Sequence, residues 1–502
     1  MKASKLFKNP TIIKILDYYK NLWALSHLSA VSHWDLETYM PKKGVGARGE
    51  ALGRLATIRQ TMFLDPNFVS LIHKAESEKN LNDPERGVVR ILLKDLKMYE
   101  KVPSKFLEEF ENLTSASTVV WREAKAKDDF KIFVKSLSKI FDMNRQMAEY
   151  LGYSDSPYDA LLDLYEEGLT AKKTESFFEE IKNPLQTLLK QITSSKKYQS
   201  THWLEEKEYN KEKMEELNNK VLEYLWNDKN RFRMDVSSHP FTTSFSNNDT
   251  RITTWYHQKD FARSLLATIH EFGHALYDLQ SPDDLEMTPI AGGSSLVIHE
   301  SQSRFWENHV GRSMEFIELF KRDIEQVVGC DLGIDDIYNY FNKVGPSLIR
   351  VEADEITYHF HIMLRFEIEK GIIEGKLKVK DLPEIWNSKM KEYLGVTPKN
   401  DSEGVLQDIH WSGGSVGYFP TYSLGTFLGS QFEQLLSVEG CGSDVNKIKQ
   451  SLYKHVHQFG STYTLEELLK KNNMKFEPDS IGVDPSINIK YLQEKYTKLY
   501  SL

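Results

Sequence analysis

The chain has 502 residues, of which 27% are charged and 12% aromatic, with a formal net charge of −9. This length can bury a large core and hold up to about three domains, and the composition excludes a disordered protein. The negative charge is spread along the chain without a basic stripe, which argues against a nucleic-acid partner.

The first residues, Met1 to Lys8, carry no apolar signal core, and no run of 18 apolar residues follows. The expectation is a soluble, cytoplasmic protein with no membrane attachment. Helical patterning of Leu, Lys, Glu and aromatic residues predicts helices near 10–32, 46–63, 86–100, 104–115, 120–150, 170–195 and 205–227. Turn-prone breaks fall at 80–85 and 154–157. No Gly/Ser-rich or Pro-rich linker divides the chain, so a mainly α protein with one large helical domain over 1–502 is expected.

The composition changes near 234–257. The segments from His239 to Phe245 and from Arg251 to Tyr256 are rich in β-branched and aromatic residues, and Ser246-Asn247-Asn248-Asp249 between them is a turn signal. Together they predict a small hairpin entering the next helix, with an edge strand to which an extended peptide can pair. Helices resume near 294–312, 315–328, 334–343, 347–373 and 384–393. The segment 404–425 is Gly-rich and then aromatic, and reads as an active-site loop leading into a helix. The tail over 444–502 reads as helical and charged. Cys330 and Cys441 form neither a ligand cluster nor a disulfide framework.

His270-Glu271-Phe272-Gly273-His274 carries the most specific chemistry. It has the form H-E-x-x-H within a segment of helical period. Leu265, Ile269, Phe272, Leu276 and Leu279 make an apolar stripe, and His270 and His274 fall nearly opposite it, one turn apart. Asp260 is the candidate N-cap and Pro282 the stop. Two imidazoles so spaced can share one zinc ion, with Glu271 as general base for hydrolysis of a peptide-like bond.

A catalytic zinc needs a third protein ligand. Glu300, in His299-Glu300-Ser301-Gln302-Ser303-Arg304, is the candidate, on a helix starting near Ser294 that shares a face with Ser303, Arg304 and Glu307. His299 is the alternative. His410, Tyr418 and Tyr422 can donate to a developing oxyanion, unless they are ordinary packing aromatics. A substrate carboxylate calls for a fixed cation. Arg350, read on one helical face with Asp354, Thr357 and His361, is the first candidate and Arg251 the second; a structural ion pair is the competing reading for each.

These residues together resemble the carboxypeptidase Taq family of metallocarboxypeptidases over most of the chain. Trp34-Asp35-Leu36-Glu37-Thr38-Tyr39-Met40-Pro41 with Gly44 and Arg48 looks like its N-terminal signature. H-P-F corresponds to His239-Pro240-Phe241, and D-x-R-x-T to Asp249, Arg251 and Thr253. H-E-x-x-H and H-E-S-x-S-R map to the two segments above, I-R-x-x-A-D to Ile349–Asp354, and G-x-x-Q-D-x-H-W to Gly404–Trp411. The resemblance implies a helical, groove-bearing fold similar to that of neurolysin and angiotensin-converting enzyme. It also implies one catalytic metal, usually zinc with cobalt able to substitute, and removal of C-terminal residues one at a time with broad tolerance. A homodimer is implied, and His239 and Asp249 join the substrate-binding set.

The chain departs from the pattern in places. Asp278-Leu279-Gln280 stands where relatives often carry Glu-x-Gly, and Trp255 where a basic residue is common. Arg304 sits four residues after Glu300, where some other H-E-x-x-H peptidases carry Asp, so the groups behind the ligands must come from elsewhere; Glu307 and Asp354 are the candidates. Two other functions remain at this point: an oligopeptide-cleaving endopeptidase on the same scaffold, and a non-catalytic metal-dependent peptide-binding protein.

Overall fold

The computed structural model describes residues 6–474 and 480–502. Parts of the amino-terminal and tail readings, residues 1–5 and 475–479, lie outside the described residues. In chain order the helices are α1 (Pro10–Glu37), α2 (Val45–Phe63), α3 (Pro66–Glu76), α4 (Asp83–Lys101), α5 (Ser104–Lys127), α6 (Lys131–Leu151), α7 (Pro157–Asp163), α8 (Ala171–Ser194) and α9 (Lys211–Leu225). Strands β1 (Phe232–Val236), β2 (Thr242–Ser246) and β3 (Asp249–Thr254) follow. Then come α10 (Phe261–Leu279), α11 (Leu296–Arg304), α12 (Met314–Val328), α13 (Ile334–Phe341), α14 (Thr357–Ile373), α15 (Leu382–Leu394), α16 (Pro420–Val438), α17 (Val445–His455), α18 (Leu465–Lys471) and α19 (Pro485–Tyr500). The protein is mainly helical with one small sheet, and no helix among the described residues is long and apolar enough to cross a membrane.

The chain divides into two compact units. One comprises Met1–Leu96, His202–Phe341 and Phe432–Asn472; the other comprises Lys97–Thr201, Asn342–Gln431 and Asn473–Leu502. In the first, α10 is the axis of the core. Its stripe of Leu265, Ile269, Phe272, Leu276 and Leu279 is buried among Leu217, Val221, Trp306, Ile317 and Phe341, each side chain contributing about 1.5–3 kcal/mol. The Asp260 side chain caps its start by accepting from the Arg263 amide, as the sequence predicts. The flanks of the stripe are covered as well: Glu271, Ala275 and Tyr277 are also buried, while His270 and His274 opposite the stripe are half-buried.

The predicted hairpin is present as β2 and β3, turning at Asn247-Asn248, and a strand the periodicity missed, β1, pairs parallel to β3 to give the order β1-β3-β2. β2 is therefore an edge strand. Thr254 and Thr268 hydroxyls lie 2.8 Å apart, and Asn218 donates to Thr268 at 2.8 Å, tying β3 and α9 to α10.

In the second unit Phe133, Ile140, Phe141, Phe177, Phe360, Leu364, Trp386 and Phe427 are buried. The C-terminal helix is held there by a buried carboxylate: Glu355 accepts from Tyr496 at 2.8 Å and pairs with Lys495.

Several predicted boundaries need correction. The helix predicted over 347–373 begins only at Thr357, because the Asp354 carboxylate accepts the Ile356 and Thr357 amides and starts the helix there. The 104–115 and 120–150 predictions merge and divide at Asp128, which sits at φ 53 as the C-cap of α5. Helices α3 and α7 were not predicted, and the helix predicted over 294–312 changes to π-helical winding over Phe305–Gly311.

One contact sets the spacing of α10 and α11. A Cβ on Gly273 would lie 2.5 Å from Ser303 Cα and 2.7 Å from the Gln302 carbonyl oxygen. Only glycine admits this approach of backbone to backbone. Gly273→Ala is expected to force the two helices apart at a cost of about 1–3 kcal/mol; thermal unfolding of the variant should show a lower midpoint, and an unchanged midpoint would contradict the contact.

Candidate metal centre

His270 and His274 project from α10 one turn apart, with ring centroids 5.0 Å from each other. Glu300 reaches them from α11: its Oε2 lies 3.7 Å from His270 Nε2 and 3.6 Å from His274 Nε2. Donors about 2.1 Å from a tetrahedral ion stand about 3.4 Å apart, so these separations fit one shared cation. Among the described residues this trio is the group of His, Cys, Asp and Glu side chains whose donor atoms converge in that way. The alternative ligand, His299, turns its Nδ1 to the Nδ1 of His274 at 3.3 Å and seats its ring over Gly293. It thus stands behind His274, on the ring nitrogen that faces away from Glu300.

The electrostatics keep the acidic donor ionised. Burial raises the Glu300 carboxyl, but Arg304, His270 and His274 outweigh it and bring it down to about 2. Arg304 Nε donates to Glu300 Oε1 at 2.8 Å and its Nη1 to Glu307 Oε2 at 3.1 Å, so one guanidinium serves two buried carboxylates. Glu307 in turn bonds His270 Nδ1 at 2.9 Å and accepts from Arg312 at 3.1 Å. Burial works against its charge, yet Arg304, His270 and Arg312 hold it well below the usual carboxylate range. Glu307 fixes the His270 tautomer that leaves Nε2 free to bind a metal. It sits in the π-helical turn, a local widening common at functional sites.

Asp354, the other candidate for this supporting role, spends its carboxylate on the Gly345, Ile356 and Thr357 amides and the Thr357 hydroxyl. Its role is local to the start of α14.

Glu271 follows His270 and is buried. Thr242, the first residue of β2, donates its hydroxyl to Glu271 Oε2 at 2.7 Å. The sequence reading missed Thr242; the available signal was its position directly after His239-Pro240-Phe241. His239 itself is exposed in the turn before β2. Arg251 on β3 is held bidentately by Asp249, at 2.8 and 2.7 Å, with its guanidinium 4.7 Å above the Phe245 ring. Asp249 and Arg251 are thus one ion pair, not two separate groups.

In the second unit, Arg350, His410, Tyr418 and Tyr422 come together. Arg350 lies in a single 3-10 turn and does not share a helical face with Asp354, Thr357 and His361 as predicted, for the reason given above. It is buried, with Nη2 2.9 Å from Asp408 Oδ1 and Nη1 3.1 Å from the Tyr358 hydroxyl. The fully buried Arg365 takes the other oxygen of Asp408 at 2.8 Å through Nε. Two guanidiniums against one carboxylate leave this trio with a net positive charge. His410 Nε2 is 3.3 Å from the Tyr422 hydroxyl, and its ring is 5.4 Å from that of Tyr418. Burial pushes His410 down to about 4, with Asp408 opposing and the two arginines assisting, so its imidazole is neutral at neutral pH. Asp408 and Arg365 had no signal in local periodicity.

Comparison with known proteins places this geometry in context. A family model described as Carboxypeptidase Taq (M32) metallopeptidase matches residues 14–496. The chain is 44% identical to thermostable carboxypeptidase 1 of Pyrococcus furiosus, covering 98% of this chain and 99% of that relative. It is 37% identical to carboxypeptidase 1 of Bacillus subtilis, covering 97% and 98%. A solved structure of the Pyrococcus furiosus carboxypeptidase superposes with a TM-score of 0.92 over 98% of this chain and 100% of that one, at 44% identity. The M32 carboxypeptidase of Deinococcus radiodurans R1 does so with a TM-score of 0.92 at 29% identity, covering 98% and 100%.

The Glu307–His270 contact generates a direct expectation. Glu307→Gln should weaken metal binding by about 10–100-fold, read by competition against a chromogenic chelator, whereas Asp354→Asn should leave it unchanged. Equal affinities for the wild type and Glu307→Gln would remove Glu307 from the centre.

Proposed function

Because the chain belongs to the carboxypeptidase Taq family of metallopeptidases, we propose that it removes C-terminal residues from peptides one at a time, with broad side-chain tolerance, using one zinc ion held by His270, His274 and Glu300. Cobalt is expected to substitute. The observation that carries this reading is the convergence of those three donors beside a buried glutamate. The donor set of two imidazoles and one carboxylate suits a catalytic zinc, which keeps a position open, and not a structural site closed by four Cys or His ligands. A divalent ion held there supplies Lewis acidity, polarising a carbonyl and acidifying water.

The protein's own groups then act as follows. Glu271 takes a proton from water and returns it to the leaving amine. Thr242 keeps the Glu271 carboxylate oriented through its 2.7 Å hydrogen bond. Glu307 and His299 hold the two imidazoles by their Nδ1 atoms. His410, Tyr418 and Tyr422 donate to the oxygen that gains negative charge; a neutral His410 retains an N–H for that purpose. The net positive charge of Arg350, Arg365 and Asp408 suits a substrate carboxylate, with Arg350 as the contacting group. The Arg251–Asp249 pair and His239 line the peptide's path in this reading, and strand β2, at the edge of the sheet, offers an extended backbone a place to pair. The reading takes residues 1–502 as one functional domain, since a single family model spans 14–496. It also carries cytoplasmic residence and a homodimer, the latter on family resemblance alone.

A defined peptide tests the reaction. With a free C-terminus it should give a ladder shortening from that end by mass spectrometry, lost on chelation and restored by zinc. The same peptide amidated at its C-terminus should survive; internal cleavage of it would favour an oligopeptidase. Glu271→Gln should lower kcat by about 10²–10⁴-fold while retaining stoichiometric metal, and full activity in that variant would eliminate Glu271 as the base.

A further inference from the structure

Glu369, on α14, is buried and takes no part in the chemistry described so far. Its carboxylate is the meeting point of three donors. Trp411 Nε1 donates to Oε1 at 2.6 Å, the Gly417 amide to Oε2 at 2.8 Å and the Tyr158 hydroxyl to Oε2 at 2.6 Å. Two of the three belong to the segment that carries His410 and Tyr418 and leads into α16, whose first turn holds Tyr422. Trp411 directly follows His410, and Gly417 directly precedes Tyr418. One side chain therefore fastens the loop at the chain neighbours of His410 and Tyr418.

The loop between these points has little freedom to compensate. Gly417 sits at φ 95, and a Cβ there would lie 2.8 Å from the Leu161 carbonyl oxygen of α7. Gly414 sits at φ 81, with a Cβ position 2.6 Å from the Phe110 ring. The Trp411 ring packs edge-on against Phe141 at 5.9 Å and Trp386 at 6.0 Å. The third donor, Tyr158, comes from α7 and anchors the carboxylate from outside the loop. A buried carboxylate is costly unless each oxygen is hydrogen-bonded, and here both are.

We propose that Glu369 is a positioning residue for the hydrolytic step, setting the spacing of His410 from Tyr418 and Tyr422 by clamping Trp411 and Gly417. This rests on the reading that His410 and the two tyrosines stabilise the oxyanion. Glu369→Gln keeps the shape but, in either orientation, turns an amide N–H toward the Trp411 indole N–H or the Gly417 amide, which can only donate, so one clamp must open. Displacement of a stabilising group by about 1 Å costs on the order of 100-fold in rate.

The test is a double-mutant cycle on peptide hydrolysis with Glu369→Gln, His410→Ala and the pair, each with metal content and thermal midpoint recorded. The expected result is a fall in kcat of roughly 10–100-fold for Glu369→Gln, with KM within about threefold, full metal content, and little further loss in the His410→Ala background. A purely structural role would lower the midpoint and add its loss independently of His410. Wild-type kcat in Glu369→Gln beside a crippled His410→Ala, or additive losses, overturns the clamp alone. Wild-type kcat in His410→Ala overturns the oxyanion reading and the clamp with it. Should Glu369→Gln fail to fold, Trp411→Phe carries the same cycle: a several-fold loss of kcat coupled to His410 supports the clamp, and wild-type kcat overturns it.

Discussion

Two carboxylates, Glu300 and Glu307, are buried within reach of the same imidazole, and Arg304 is hydrogen-bonded to both. Each group in this cluster needs the others. Without the guanidinium, burial would push the carboxyls toward their neutral forms, and a neutral Glu300 is a poor metal ligand. Without the carboxylates, Arg304 would be a buried charge lacking a partner. The cluster therefore holds ready, in the protein itself, a geometry that fits a shared cation, and the cost of assembling it falls on folding.

Backbone approach makes that cluster possible. Gly273 lies inside the motif, between the two histidines, and its missing side chain lets the Gln302–Ser303 backbone come close. Glu300, one turn earlier on that second helix, is thereby brought to Nε2 of both rings. Farther along, the change to π-helical winding accompanies the return of Glu307 to the other nitrogen of His270. The second unit follows the same logic with opposite sign. Two arginines share Asp408, leaving a surplus positive charge, and burial among them keeps His410 neutral.

Much of this was legible in the sequence because it depends on short-range periodicity. The His270–His274 spacing, the apolar stripe behind it, the Asp260 cap and the hairpin turn at Asn247-Asn248 are all local patterns. Glu300 became a candidate for a different reason: a metal needing a third ligand directs attention to the next polar helical face. Other features depend on contacts between distant segments. Thr242 touches Glu271 across a strand–helix interface, and Asp408 meets Arg365 from 43 residues away. Arg350 was misread because apolar periodicity runs through 347–373, while Asp354 hydrogen-bonds to the backbone and starts the helix later. Strand β1 was missed because its partner, β3, follows after an intervening strand, so no hairpin signal marks it.

The most direct test of the account is to locate the ion. Crystals of the zinc-loaded protein, measured at the zinc absorption edge, should give one anomalous peak per chain. It should lie about 2.0–2.2 Å from His270 Nε2, His274 Nε2 and a Glu300 carboxylate oxygen. A peak elsewhere, or one with neither imidazole in its coordination sphere, would contradict the central claim.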